Sequence, residues 1–284
     1  MDPPVSPSVS RRLRRSVIVA VCLVAAGALS GSATPREVTR QSIGVLQLNL
    51  CNSGMAECHT GQAVTKAAAV MRIAVPDVVT LNEVCENDVY ALARTLDGIH
   101  HGHVVSAFAA ATSRRTGRTT RCRNGQPYGI GVLVHTPNPP EESRTYRGTY
   151  PTQGARDPEN RVWLCVHAPG AFYACTTHLA SSNSTVALAQ CGYLLTTAIP
   201  ALHAEHEYQP TVLGGDLNLR YGAAPDLQPC LPSSYRRLGD GHLQHILATA
   251  DFTLASSRLI DMAGTTDHSG LLASISLPRA RDRA

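Results

Sequence analysis

Residues 43–83 read IGVLQLNLCNSGMAECHTGQAVTKAAAVMRIAVPDVVTLNE, and three segments can be cut from this stretch. Ile43 to Asn49 is a short apolar run rich in β-favouring residues, which predicts a strand. Gln62 to Ala74 is alanine-rich with apolar residues at helical spacing and is stopped by Pro76, which predicts a helix. Asp77 to Glu83 (DVVTLNE) reads as a second strand. A polar residue closes each strand, Asn49 in one case and Glu83 in the other.

The same alternation continues toward the C-terminus. Glu86 to Leu96 reads as a helix. His103 to Ala109, Tyr128 to His135, Val162 to Val166 and Ala171 to His178 read as strands, the last two as a hairpin about Ala168-Pro169-Gly170-Ala171. Thr185 to Glu205 is the longest helical run, with a break or kink expected at Pro200. Thr211 to Asp216, His242 to Thr249, Phe252 to Asp261 and Leu271 to Leu277 complete the strands. Many strands, interspersed helices and at least one hairpin predict an α/β fold with two packed sheets covered by helices. Ala110 to Pro127 and Thr136 to Asn160 read as long surface loops. The first carries Arg114, Arg115, Arg118, Arg121 and Arg123 without an acidic residue.

Residues 1–33 have a different character. Arg11, Arg12, Arg14 and Arg15 precede an apolar run from Val17 to Leu29, and small residues follow at Ser30 to Ala33. This order predicts an export signal cleaved near Ala33, leaving 34–284 as one domain of a secreted protein. Ser10-Arg11-Arg12 does not choose between the twin-arginine and general routes. No later segment reads as apolar enough to cross a membrane. The chain has 25 Lys+Arg and 21 Asp+Glu; residues 1–33 hold four Arg and one Asp, leaving 21 against 20. A globally basic protein that coats nucleic acid is thereby excluded, and any attraction to a polyanion is local.

Nine cysteines less Cys22 leave eight, an even number that suggests disulfides in an exported chain. Cys165 and Cys175 flank the hairpin turn symmetrically, and Cys51 and Cys58 can close a short loop. The absence of any CxxC spacing argues against a cysteine zinc site. His100-His101-Gly102-His103 reads as a polar turn before a strand, with metal binding as the alternative.

Polar groups recur where the apolar strands stop: Asn49, Glu83, His178, Asp216 with Asn218, and Asp267 with His268 just before the last strand. Carboxylates and amide carbonyls are hard oxygen ligands, suited to Mg²⁺, with Mn²⁺ or Ca²⁺ as alternatives. Two imidazoles beside such an ion can donate to a phosphoryl oxygen or act as acid and base. Together they favour attack of water on a phosphate ester.

The blocks LNL at 48–50, LNE at 81–83, TTHL at 176–179, GGDLN at 214–218 and TDHS at 266–269 resemble, in this order, the endonuclease/exonuclease/phosphatase superfamily. The likeness runs from about Ile43 to Leu277. It implies a deoxyribonuclease-like α/β/β/α sandwich and assigns roles. Glu83 is implied as the main metal ligand, with Asn49 beside it and Asp267 as a second contact. Asp216 is implied to orient or deprotonate the attacking water, and Asn218 to donate to the phosphate. His178 and His268 are implied as the phosphate-facing histidines. Tyr128-Gly129-Ile130-Gly131 and Arg161, two residues after Glu159, match further recurrent features. One position departs: where the family carries an Asp that supports the last histidine, this chain has Gln244, which can orient His268 but not stabilise its charged form. Asp240 or Asp261 could supply the missing carboxylate.

Substrate is read from the arginine loop, whose guanidinium groups could track a phosphate backbone beside the metal. The reading is an endonuclease acting on nucleic acid, as a monomer and without stable membrane insertion. The alternatives are a phospholipid diesterase similar to the sphingomyelinases, a phosphomonoesterase, and a non-catalytic binding module. A single Trp and three Phe leave little apolar surface for the lipid reading.

Overall fold

The computed structural model describes residues 40–136, 142–168, 171–206 and 208–278; the expected export signal lies outside them. In chain order the elements are β1 (Arg40–Asn49), α1 (Ala63–Ala74), β2 (Val78–Cys85), α2 (Glu86–His100), β3 (His103–Ala110), β4 (Thr112–Ser113), β5 (Tyr128–Thr136), β6 (Arg144–Thr149) and β7 (Glu159–Asn160). There follow β8 (Val162–Ala168), β9 (Phe172–His178), α3 (Ser184–Tyr193), α4 (Ile199–Glu205), β10 (Thr211–Asp216), β11 (Tyr235–Gly239), β12 (Gln244–Thr249), β13 (Thr253–Ile260) and β14 (Gly270–Pro278).

Two six-stranded sheets result, ordered β13-β14-β1-β2-β5-β3 and β11-β12-β10-β9-β8-β6. Each has one parallel pair at its centre, β1 with β2 and β9 with β10, and is otherwise antiparallel. Strands buried on both faces lose the polar–apolar alternation of an open sheet, and β1, β2 and β5 accordingly read as nearly continuous apolar runs. Ile43, Val45, Val132, Leu164, Val212 and Ile246 fill the space between the sheets. Leu46, Val79, Leu133, Met71 and Leu92 pack α1 and α2 onto the outer face of the first sheet. Leu213, Leu247, Ala187, Leu194 and Leu202 do the same for the helical run over the second. The result is the expected α/β/β/α layering. The two parallel pairs bring the C-terminal ends of β1, β2, β9 and β10 to one edge of the sandwich.

Four disulfides close the fold: Cys51–Cys58 and Cys165–Cys175 as expected, together with Cys85–Cys122 and Cys191–Cys230. This number of bridges fits an oxidising compartment.

Three expectations need correction. The segment 136–160 is not all loop: β6 pairs along β8 at the sheet's edge, and β7 pairs with β4 out of the arginine loop. Edge strands are commonly charged, and β6, with Arg144 and Arg147 and no buried alternation, hides its signal in that way. The helical run is not simply kinked at Pro200. A π-helical turn, Leu194–Ala198, joins α3 to α4 and places Pro200 in the first turn of α4, where its missing N–H costs least. Lastly, Ser184–Glu205 is long and apolar enough to cross a membrane by length and composition, contrary to the reading above. Much of that apolar character belongs to the face packed on the second sheet, as in other core helices.

Candidate active site

The site is assembled on the edge where the parallel strands end. Asn49 ends β1 opposite Asn82 of β2, and Asp216 ends β10 between His178 of β9 and Gln244 of β12. Glu83 reaches the same place through an irregularity: the β2–β5 register shifts between Leu81 and Val84, and Glu83 adopts φ +56°. A left-handed conformation at a non-glycine residue costs about 1–3 kcal/mol and persists where the surroundings over-determine it. Asn218, at φ +51°, is a second such residue.

The side chains then interlock. Asn49 Nδ2 donates to Glu83 Oε1 at 3.0 Å and to Asp216 Oδ2 at 3.1 Å, so one amide bridges two carboxylates from different sheets. Asp216 Oδ1 accepts from the Asn218 N–H at 3.1 Å, and Asn218 Nδ2 donates to the Leu179 carbonyl at 3.0 Å. His178 Nε2 lies 3.9 Å from Glu83 Oε1, and His268 Nε2 lies 3.5 Å from Asp216 Oδ2. Asp267, more exposed, sits 3.9 Å from His268 Nε2. Thus Asn49, Glu83, His178, Asp216, Asn218, Asp267 and His268 all meet at one edge.

The basic loop is brought there only in part. All five arginines are exposed, but Arg121 alone among them lines the cleft of about 560 Å³ that opens over Glu83, His178, Asp216 and His268. Arg114 donates to Asn160 Oδ1 at 3.2 Å, and Arg123 is tied to the Cys51–Cys58 loop by its N–H to the Ser53 carbonyl at 2.8 Å. Arg115 and Arg118 lie outside the residues that line this cleft. The loop is pinned by Cys85–Cys122 and by bridges Thr112–Thr119 and Arg121–Pro127, so it is a fixed rim.

Gln244 does not act on the His268 ring as expected. It is fully buried, accepts from Gln47 Nε2 at 3.3 Å, and donates to the Ser269 carbonyl at 2.5 Å, holding the backbone beside the histidine. Asp240 and Asp261 use Oδ1 to accept loop N–H groups, at residues 242 and 244 for the first and 263 for the second. The carboxylates facing His268 are therefore Asp216, the nearer, and Asp267. Gln244→Asp is expected to destabilise the protein by about 2–3 kcal/mol, because a carboxylate cannot donate to the Ser269 carbonyl and a buried charge is then left with no donor but the Gln47 amide. A melting temperature within 1–2 °C of wild type would contradict this.

Sequence reasoning missed the layer beneath the site. Gln47 Nε2 donates to Asn82 Oδ1 at 2.7 Å, Thr80 Oγ1 donates to Gln47 Oε1 at 2.5 Å, and Asn82 Nδ2 crosses to the Thr177 carbonyl at 3.0 Å. Asn82 Oδ1 also accepts the Asp216 N–H at 2.8 Å. This buried network sets the two sheets in register just below the candidate site. The available signal was polar residues at 47, 80 and 82 inside otherwise apolar strands. Arg161 is likewise buried, pairs with Glu159 at 2.8 Å and lines the cleft.

The electrostatics follow from burial. Burial raises the Glu83 pKa, opposed by the Asn49 hydrogen bond and reinforced by Asp216; Asp267 raises it further. Negative charge is thus in excess, as expected where a hard divalent cation binds. Oxygen donors of this kind, Glu83 with Asp267 nearby, are the type that hard divalent cations take. Burial and Arg161 push Glu159 in opposite directions, and it settles at about 7. His178 is pushed well below 6.5 by burial first, then by Arg161 and His268.

A pH prediction follows for His178. Near and below pH 6.5 its imidazole takes up a proton in the unfolded chain but resists one in the fold. The unfolded state then binds the extra proton. This contribution is complete above pH 6.5 and is lost at about 1.4 kcal/mol per pH unit below it. The stability difference between wild type and His178→Gln is expected to shift in the variant's favour from pH 7.5 to pH 5; a constant difference in melting scans would contradict it.

The comparisons with known proteins agree with this fold. A family profile described as Endonuclease/Exonuclease/phosphatase family matches residues 47–268. The fold is similar to that of an endonuclease/exonuclease/phosphatase family protein from Bacteroides thetaiotaomicron, at 12% identity and TM-score 0.62, over 84% of this chain and 96% of that one. It is also similar to D. rerio TDP2 complexed with single-strand DNA product, at 14% identity and TM-score 0.56, over 83% and 99%. A third likeness is to a mannosyl-6-phosphatase of B. thetaiotaomicron, at 12% identity and TM-score 0.57, over 82% and 99%. Among curated protein sequences no relative matches.

Proposed function

Since the chain belongs to the endonuclease/exonuclease/phosphatase family, we propose that it is a secreted, divalent-metal-dependent phosphodiesterase that cleaves nucleic acid. The observation that carries this is the Asn49-bridged pair Glu83 and Asp216, flanked by two imidazoles, on the floor of a cleft whose wall holds Arg121. Glu83 would hold the ion, with Asn49 and Asp267 adjacent; Mg²⁺ fits these donors, as do Mn²⁺ and Ca²⁺. When bound, the ion supplies charge stabilisation at the phosphoryl oxygens. Asp216 orients water and accepts its proton. Asn218 positions the phosphate. His178, neutral at working pH, donates a hydrogen bond to a non-bridging oxygen, and His268, backed by Asp216, serves the other. Arg121 meets the backbone near the scissile bond, and Arg114, Arg115, Arg118 and Arg123 form an outer positive rim. Processing within residues 1–33 would release 34–284 as a single secreted domain that acts as a monomer.

The test is incubation of the processed protein with plasmid DNA, single-stranded DNA, RNA, sphingomyelin and a generic phosphodiester, with and without Mg²⁺. Metal-dependent cleavage of nucleic acid is expected. Turnover of sphingomyelin alone would replace nucleic acid with phospholipid as the substrate. No metal-dependent turnover of any of them would overturn the enzymatic reading.

A further inference from the structure

A second cluster of ligand-type side chains lies at the opposite end of the first sheet. Asp77 immediately precedes β2, His100 ends α2, and His135 stands near the end of β5. The length of β2 between Asp77 and Glu83 puts this cluster about 15–20 Å from the catalytic edge. Their ligand atoms all lie within 4.8 Å of one another, and each side chain is partly exposed. We propose that Asp77, His100 and His135 form a binding site for a divalent transition metal of the zinc type, separate from the catalytic ion.

Three observations carry the proposal. The first is ligand spacing. Asp77 Oδ1 and His135 Nδ1 are 3.6 Å apart, close to the ~3.3 Å between neighbouring ligands of tetrahedral zinc. The second is the set of groups behind the ligands. His100 Nε2 is 2.8 Å from the Pro76 carbonyl, which can only accept, so the proton sits on Nε2 and the Nδ1 lone pair is free. Asp77 Oδ2 accepts the Gly44 N–H at 2.7 Å, which leaves Oδ1 toward the histidines. The backbone is fixed as well: Asp77 N–H donates to the Gly44 carbonyl and His135 N–H to the Asp77 carbonyl, both at 2.8 Å. The third is donor chemistry. Two imidazoles and one carboxylate favour zinc and its neighbours over Mg²⁺. All eight cysteines of the described chain are in disulfides, so no thiolate competes for such an ion.

The rings of His100 and His135 are stacked, with centroids 4.0 Å apart and planes 10° apart. Parallel lone pairs do not converge, so one ring must tilt to share an ion. Gly102 leaves room for His135 to do so: a Cβ at that position would stand 3.1 Å from His135 Nε2. An ion held here would join the end of α2 to β2 and β5. It would bind through the histidine turn that the sequence marks at residues 100–103.

The test is zinc titration of the Glu83→Gln protein, in which the catalytic edge is weakened, by calorimetry and thermal melting. One equivalent is expected, with melting raised by about 5–10 °C at zinc ~100-fold above Kd. His135→Gln and His100→Gln, each placed on the Glu83→Gln protein, are expected to lose both signals, and cobalt is expected to give a visible ligand-field spectrum only when both histidines are present. Two histidine variants guard against one failing to fold. No zinc uptake, or uptake and cobalt spectrum unchanged in both variants, would overturn the site in favour of a plain His–Asp contact. Neither outcome bears on phosphodiester cleavage, which is read at the other end of the sheet.

Discussion

Asp216→Asn is expected to lower kcat on a phosphodiester by about 10³-fold, equivalent to ~4 kcal/mol, while leaving KM within a few-fold. The substitution conserves shape and removes one charge. Asp216 is buried, so its geometry is set by its neighbours: Oδ1 holds the Asn218 N–H, and Oδ2 accepts from Asn49 and faces His268 at 3.5 Å. An amide can keep the first contact. Toward Asn49 and His268 it either presents a second donor to the Asn49 amide or loses the Asn218 contact. It cannot accept a proton from water, and it cannot stabilise His268 in its charged form. The fold is expected to lose only about 1 kcal/mol, the worth of one hydrogen bond, so circular dichroism and melting separate a chemical defect from a folding one. A kcat within tenfold of wild type would remove Asp216 from the water-activating role.

The edge where the candidate residues meet was legible in the sequence because a strand buried on both faces announces itself and its end is a fixed place. Residues 43–49 and 77–83 are apolar until Asn49 and Glu83, and two parallel strands of one sheet end on the same side. The same reasoning reached His178 and Asp216 in the other sheet. Contacts that join distant parts of the chain were not legible. Gln47 meets Gln244 across 197 residues, and neither residue carries a local mark of that partnership. The disulfides divide in the same way. Cys165–Cys175 follows from a hairpin and Cys51–Cys58 from a short loop, whereas Cys85–Cys122 and Cys191–Cys230 span 37 and 39 residues and depend on tertiary placement. The arginine loop was recognisable as basic, but composition could not say that Arg121 alone of its arginines lines the cleft. That depends on the pairing of β4 with β7 and on the Cys85–Cys122 bridge.

Glu83→Gln is expected to separate activity from stability in opposite directions. Removing the carboxylate proposed to hold the metal should lower the Mg²⁺-dependent rate by about 10³-fold or more, since a neutral amide binds a hard cation weakly. Without metal, however, Glu83 is a liability to the fold. Burial raises its pKa, the Asn49 hydrogen bond only partly opposes this, and Asp216 and Asp267 add repulsion. An acid whose folded pKa lies above its unfolded value is destabilising once ionised, so the penalty is absent in acid and grows as pH rises past the unfolded value near 4.3. The amide variant escapes it, keeps an oxygen for the Asn49 donor and keeps the same left-handed backbone. In the presence of a chelator at pH 7 it is therefore expected to be more stable than wild type by roughly 0.5–2 kcal/mol, with the advantage shrinking toward pH 4. Added Mg²⁺ should raise the melting temperature of wild type and leave the variant nearly unchanged. If the variant melts below wild type in chelator, the carboxylate is a structural anchor and the strained backbone at Glu83 is not held for an ion. If it melts higher yet keeps its Mg²⁺-dependent rate, the ion is held by Asp216 and Asp267 instead.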